Sequence, residues 1–160
     1  EWKILRLGIL KRDNYTCQYC GFKTEKWQIV HHIDGNPNNN EEANLETVCP
    51  MCNLIHHAGQ GCVVQGIVDL YKKSNFSQNE IIQITRNMRA EGKSDGNILA
   101  HLGLNEKVPF KMNKEYLKVL FGFVTSRKAE QDWTQKSLEY GYKMQINREE
   151  KPNQLLSKFF

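Results

Sequence analysis

Two cysteine pairs, Cys17-x2-Cys20 and Cys49-x2-Cys52, constrain this 160-residue chain more than any other feature. A two-residue spacer lets one tight turn aim both thiolates at a single tetrahedral ion. Two such pairs together make a closed, four-thiolate zinc site. Gly21 directly follows the first pair, where a tight turn often needs a residue free of a side chain. Two disulfides, or buried free thiols, are the competing reading. Against it, the apolar stretch 2–10 is interrupted by Lys3 and Arg6 with no small-residue cleavage site after it, and the fifth cysteine, Cys62, would be left over. A closed site has no open coordination position, so this zinc is expected to hold the fold rather than perform chemistry. The 28 residues between the pairs are then held at both ends.

Four of the five Cys and four of the five His fall between residues 17 and 57, which is where function is to be sought. Charge lies elsewhere. Residues 1–62 carry 6 Lys/Arg against 7 Asp/Glu, and residues 63–160 carry 16 against 11. The window 107–128 alone holds Lys107, Lys111, Lys114, Lys118, Arg127 and Lys128 against the single acid Glu115. The net charge of +4 permits a nucleic-acid partner without requiring one. No apolar run approaches the roughly 20 residues that cross a bilayer, so a cytoplasmic, intracellular protein with no membrane partner is expected. The chain begins at Glu1 rather than Met, and further sequence is expected to precede it.

The apolar spacing predicts an amphipathic helix over residues 2–12, with Trp2, Leu5 and Ile9 on one face. Trp27-Gln28-Ile29-Val30-His31 predicts a strand, Asp34-Gly35 a turn, and residues 36–40 an Asn-rich loop. A short helix is expected from the second Cys pair to Ala58, stopped by Gly59-Gln60-Gly61. Beyond it the chain reads as helical. Ser77-x-x-Glu80 is a capping box before Ile81, Ile84, Thr85 and Met88. Ser94 or Asp95 caps the next segment, Ile98-Leu99 to Gly103, and Asn113 precedes an apolar stretch through Val124 read as a buried helix. Residues 147–154 read as a loose tail, followed by apolar Leu155, Leu156, Phe159 and Phe160.

His31 and His32 sit between the Cys pairs at the end of the expected strand. Neighbours on a strand point to opposite sides, so the two imidazoles can serve two roles. The order Cys-x2-Cys, Val-His-His-Ile-Asp-Gly, Asn44-Leu45, Val-Cys-Pro-Met-Cys-Asn resembles the HNH endonuclease (ββα-metal) motif in its zinc-stapled, four-cysteine subgroup, over about residues 10–60. The resemblance implies a metal-dependent DNA endonuclease. His32 would be the general base that activates water, His31 a ligand of a single catalytic Mg²⁺ or Mn²⁺, and Asn44 the residue bracing the loop that orients the base. Asn53 stands directly after the last Cys, where many members have His; its amide oxygen suits a hard divalent ion. His57, one helical turn later, would be a further ligand. Products would carry 5′-phosphate and 3′-hydroxyl ends. Each assignment has a plainer rival: Asn44 as a loop residue, Asn53 as a helix cap, and His57 as an exposed helix position.

The expected architecture is therefore α+β. A ββα-metal nuclease module with structural zinc occupies residues 1–62, and a mainly helical, basic extension for DNA binding occupies 63–160. Residues 92–104 resemble the helix-turn-helix of resolvase-type recombinases, although Pro109 falls where a recognition helix should continue; an ordinary helical hairpin is the alternative. The basic window 107–128 is the candidate for tracking a duplex phosphate backbone, with a solvated Lys-rich face as its rival. His101 is read as non-catalytic. A zinc-stapled DNA-binding module without cleavage, and a restriction or defence nuclease rather than a homing or nicking one, are the alternatives. Monomer and homodimer are equally open.

Overall fold

The computed structural model describes residues 1–57, 66–111 and 113–126. Cys62, Arg127, Lys128 and the apolar terminal residues lie outside them. The architecture is a mixture of helix and sheet. Helix α1 (Trp2–Arg12) leads to strand β1 (Ile29–His32), a short turn at Glu42–Asn44, strand β2 (Leu45–Val48) and helix α2 (Pro50–His56). Strand β3 (Val68–Lys73), helices α3 (Gln78–Ala90) and α4 (Asp95–Leu102), strand β4 (Asn105–Val108), helix α5 (Lys114–Lys118) and strand β5 (Phe121–Val124) follow.

β1 and β2 form an antiparallel hairpin with Val30 opposite Thr47, His31 opposite Glu46 and His32 opposite Leu45. The two-residue period then sorts the side chains. Val30 and Leu45 pack with Ile9 and Leu10 of α1, whereas Ile29 and Val48 join the cluster that contains the four cysteines. His32 thus lies on the α1 side and His31 on the α2 side. β1 begins two residues later than expected because Trp27 adopts φ 72°, a left-handed conformation that interrupts extended backbone.

The C-terminal end of α1 is tied to β2 through Asp13, whose side chain is buried although its ion-pair partner Arg12 is exposed. The carboxylate of Asp13 accepts from Arg12 Nε at 2.8 Å and from the backbone N–H of Thr47 at 2.9 Å. Arg12 also donates to the carbonyls of Glu42 and Leu45. Burial raises the pKa of Asp13, but the bonds from Arg12 and Thr47 outweigh it, and the net shift is downward. A carboxyl lowered on folding stabilises the protein above its unfolded pKa, and that stability is lost as pH falls through the folded value. Asp13→Ala is expected to cost about 2 kcal/mol at neutral pH, with the difference from wild type shrinking in acid below about pH 4. Urea unfolding of both proteins at pH 7 and pH 3 checks this.

Residues 66–126 hold more helix than strand, as expected, together with strands that were not foreseen. They contain a three-stranded antiparallel sheet in the order β4-β3-β5. The stretch expected as one helix through Val124 is instead the five-residue α5, a turn at Val119-Leu120, and β5. Broken only by Lys118, its apolar run carries no clear periodicity, so it fits a buried strand as well as a helix, and Gly122 disfavours the helix by roughly 1 kcal/mol. A recognition helix is likewise corrected: Gly103 ends α4 at φ 63°, and β4 follows where that helix would stand. α3 and α4 are the helical hairpin of the alternative reading. The capping box at Ser77 and Glu80 is present as expected. Val68, Leu70, Ile82 and Val124 share one apolar cluster with Cys17, Cys20, Cys49 and Cys52, so residues before and after 62 are packed together.

Candidate functional site

The four cysteine sulfurs lie within 4.8 Å of one another, and all four residues are buried. Gly21, at φ 77°, turns the first knuckle, where the Gly21 N–H donates to Cys17 O at 2.9 Å. Cys49 is the N-cap of α2, with its sulfur accepting from Cys52 N–H at 3.4 Å and Pro50 opening the first turn. Gln28 ties the first knuckle to β1 by donating from Nε2 to the carbonyls of Tyr15 and Phe22. The Cys20–Cys49 sulfur separation is 3.6 Å, close to the roughly 3.8 Å that Zn–S bonds of about 2.3 Å impose at a tetrahedral angle. The cluster is compatible with zinc, and its donor set is the one a structural zinc takes.

On the α2 side of the hairpin, His31 Nδ1 is 3.3 Å from His57 Nε2, with the rings edge to face. Two nitrogens each about 2.1 Å from one ion lie about 3.0–3.4 Å apart between octahedral and tetrahedral angles, so this pair is spaced to share a cation. Asn53 is one turn before His57 on the same helix, and the His57 N–H donates to Asn53 O at 3.0 Å. Because Cys49 caps α2, Asn53 is not the cap that the plainer reading made it. Burial, then the neighbouring His57, lowers the pKa of His31, which favours the neutral imidazole that ligation requires.

His32 faces the other way. Its ring stacks on Trp2 with centroids 5.6 Å apart and planes 11° from parallel. Nε2 lies 3.0 Å from Asn40 Oδ1. An amide oxygen only accepts, so that contact puts the proton on Nε2 and leaves Nδ1 free to take one. Asn44 spans the intervening loop: it donates to Asp34 Oδ1 and to the Asn39 carbonyl, each at 2.9 Å, and accepts from the Asp34 N–H at 3.1 Å. Hydrogen bonds from Asn39, Asn36 and Asn44 lower the pKa of Asp34.

Several of these partners were invisible to sequence reasoning. Trp2 reads as a core residue of α1 yet is 41% exposed and touches His32. Glu46 stands opposite His31, and Tyr19 donates its hydroxyl to Glu46 at 2.6 Å. His56 packs its ring 4.1 Å from Tyr19 and 5.9 Å from His31. The alternation of β2 places Glu46 on the His31 side, but only the pairing register identifies it as His31's neighbour.

The basic residues separate into distinct settings. Lys107 pairs with Asp69 at 3.3 Å, and Lys111 sits 5.5 Å over the Tyr116 ring. Lys114 and Lys118 line a groove of about 330 Å³ together with His56, Gln78, Leu117 and Leu120. Lys118 is also 3.9 Å from the exposed Glu115. His101 stacks on Phe76, away from these groups.

Residues 17–59 match the family model described as HNH endonuclease. This segment is an HNH domain, and it carries the four-cysteine cluster of the zinc-stapled subgroup. Such a domain points to nuclease or nucleic-acid-binding function. A stretch of 52 residues is also 46% identical to the Type 4 apparatus protein DotN of Legionella pneumophila. That match takes in 32% of this chain and 24% of DotN, about a quarter of the relative's length. No helix among the described residues is long and apolar enough to cross a membrane.

Proposed function

We propose that this protein is a metal-dependent DNA endonuclease that hydrolyses phosphodiester bonds at the His31/His32 end of the β1–β2 hairpin. The observation that carries the reading is the 3.3 Å approach of His31 Nδ1 and His57 Nε2, beside a second imidazole held on the opposite face of the same strand. His31, His57 and the Asn53 amide would hold one Mg²⁺ or Mn²⁺. Such an ion supplies stabilisation of negative charge on the phosphate and on the leaving 3′-oxygen. His32, with Nε2 hydrogen-bonded to Asn40, takes a proton from water at Nδ1, and the water attacks phosphorus in line. Trp2 and Asn40 orient that ring, and Asn44 holds the loop that carries Asn40.

The groove beside His56 is the proposed path of the phosphate backbone, with Lys114 and Lys118 as its cations. Replacing both lysines by Ala is expected to weaken duplex binding alike for unrelated sequences. The slope of log K against log salt should become shallower by about 2. Filter binding across a salt series reads this, and an unchanged slope would remove the groove from the DNA path.

The printed name of DotN, an apparatus protein, favours a second reading in which the zinc-stapled scaffold binds without cleaving. Supercoiled plasmid separates the two. Conversion to open circle with Mg²⁺ or Mn²⁺, abolished by EDTA, supports the nuclease. Retention of plasmid on a gel without conversion under any of these conditions supports the binding module. One active site per protomer makes nicking the expected first product.

A further inference from the structure

α3 lies outside the HNH segment, yet it reaches the cysteine cluster. Arg86, half-buried on that helix, donates from Nη2 to Cys49 Sγ at 3.2 Å and from Nη1 to Cys20 Sγ at 3.5 Å. Its guanidinium carbon lies over the Phe22 ring, 3.8 Å from the centroid. Gln83, one turn earlier, donates to the carbonyl of Cys20 at 2.9 Å. One sulfur of each knuckle is therefore bonded by the two arms of a single fork, and the backbone of the first knuckle is held by the same helix.

We propose that Arg86 is the residue that makes the four-cysteine site retain its metal, so that zinc retention and the docking of α3 are one coupled event. A divalent ion on four thiolates leaves two net negative charges in a buried place, which is costly without a compensating cation. Among the described residues, the cationic hydrogen bonds to these sulfurs come from Arg86. Groups that hydrogen-bond metal ligands hold them in position, and losing one commonly weakens the metal about 10–100-fold. Only a planar, two-armed donor meets Cys20 and Cys49 together while stacking on Phe22; a lysine ammonium is a point charge and cannot do all three. Coupling is reciprocal, so removal of the metal loosens the hold on α3. This inference rests on the cysteine geometry and stands whether or not the protein cleaves DNA.

The test uses the zinc-loaded full chain and the rate of zinc transfer to a chromogenic chelator. Arg86→Gln is expected to release zinc about tenfold faster than wild type, and Arg86→Lys at an intermediate rate. Asn87→Ala is the control: Asn87 is an exposed position of the same helix, and its release rate should match wild type. Release from Arg86→Gln within twofold of wild type overturns the proposal, as does equal acceleration by Asn87→Ala. If Arg86→Gln does not fold, Arg86→Lys decides: faster release than wild type upholds the proposal, and an unchanged rate overturns it.

Discussion

His32→Ala is expected to fold, retain zinc and bind duplex DNA as wild type does, while relaxing supercoiled plasmid about 10²–10⁴-fold more slowly. The size of the effect follows from what the ring contributes. Its side chain lies on the α1 side of β1, in contact with Trp2 and Asn40, whereas the cysteine cluster packs against the α2 side. Removing it costs a half-buried imidazole's packing but none of the cluster. A stability loss of about 1 kcal/mol would move the thermal midpoint by a few degrees, far too little to explain a hundredfold loss of rate at 25 °C. Plasmid relaxation, zinc content and thermal midpoint measured on one preparation separate chemistry from folding. Equal relaxation by wild type and variant would take the proton-transfer role away from His32.

Stripping the zinc is the second large effect expected. The cluster containing Cys17, Cys20, Cys49 and Cys52 also contains Val48, Val68, Leu70, Ile82 and Val124, so the sulfurs that would hold zinc sit inside the apolar core. Binding free energy for a structural zinc is folding free energy, commonly about 10–16 kcal/mol at neutral pH, which exceeds the total stability of most domains. Chelation, or Cys49→Ser, is therefore expected to abolish the cooperative thermal transition of the HNH segment and of β3 and α3 with it. Cys49 is the sharper choice because it is at once the cap of α2 and the acceptor from Arg86. Circular dichroism with and without chelator reads the result. A transition that persists within about 5 °C of the zinc-loaded protein would mean that apolar packing alone holds the module.

The parts legible in the sequence are those whose chemistry is local. Two Cys-x2-Cys knuckles specify their turn and their ligand geometry within four residues, and the β1 pattern with its two adjacent imidazoles needs only strand alternation to send them to opposite faces of the hairpin. The capping box at Ser77 was legible for the same reason. What escaped is what depends on register or on distant elements. The 116–124 run is apolar apart from Lys118 and Gly122, and no alternation in it marks the change from α5 to β5; pairing with β3 decides the outcome. Glu46 becomes a neighbour of His31 only through the hairpin register, and Trp2 reaches His32 only because α1 packs across that hairpin. Arg86 and Gln83 lie on what reads as the polar face of α3, and a pattern of apolar positions cannot show that this face meets a cysteine cluster.

The most direct measurement of the central claim is electron paramagnetic resonance of Mn²⁺ titrated into the zinc-loaded protein, with plasmid relaxation followed in the same samples. The account predicts one bound Mn²⁺ per chain in addition to zinc, lost together with relaxation in both His31→Ala and His57→Ala while zinc content is unchanged. Free Mn²⁺ at every protein concentration, with plasmid retained but intact, would contradict it and leave the HNH domain as a binding scaffold.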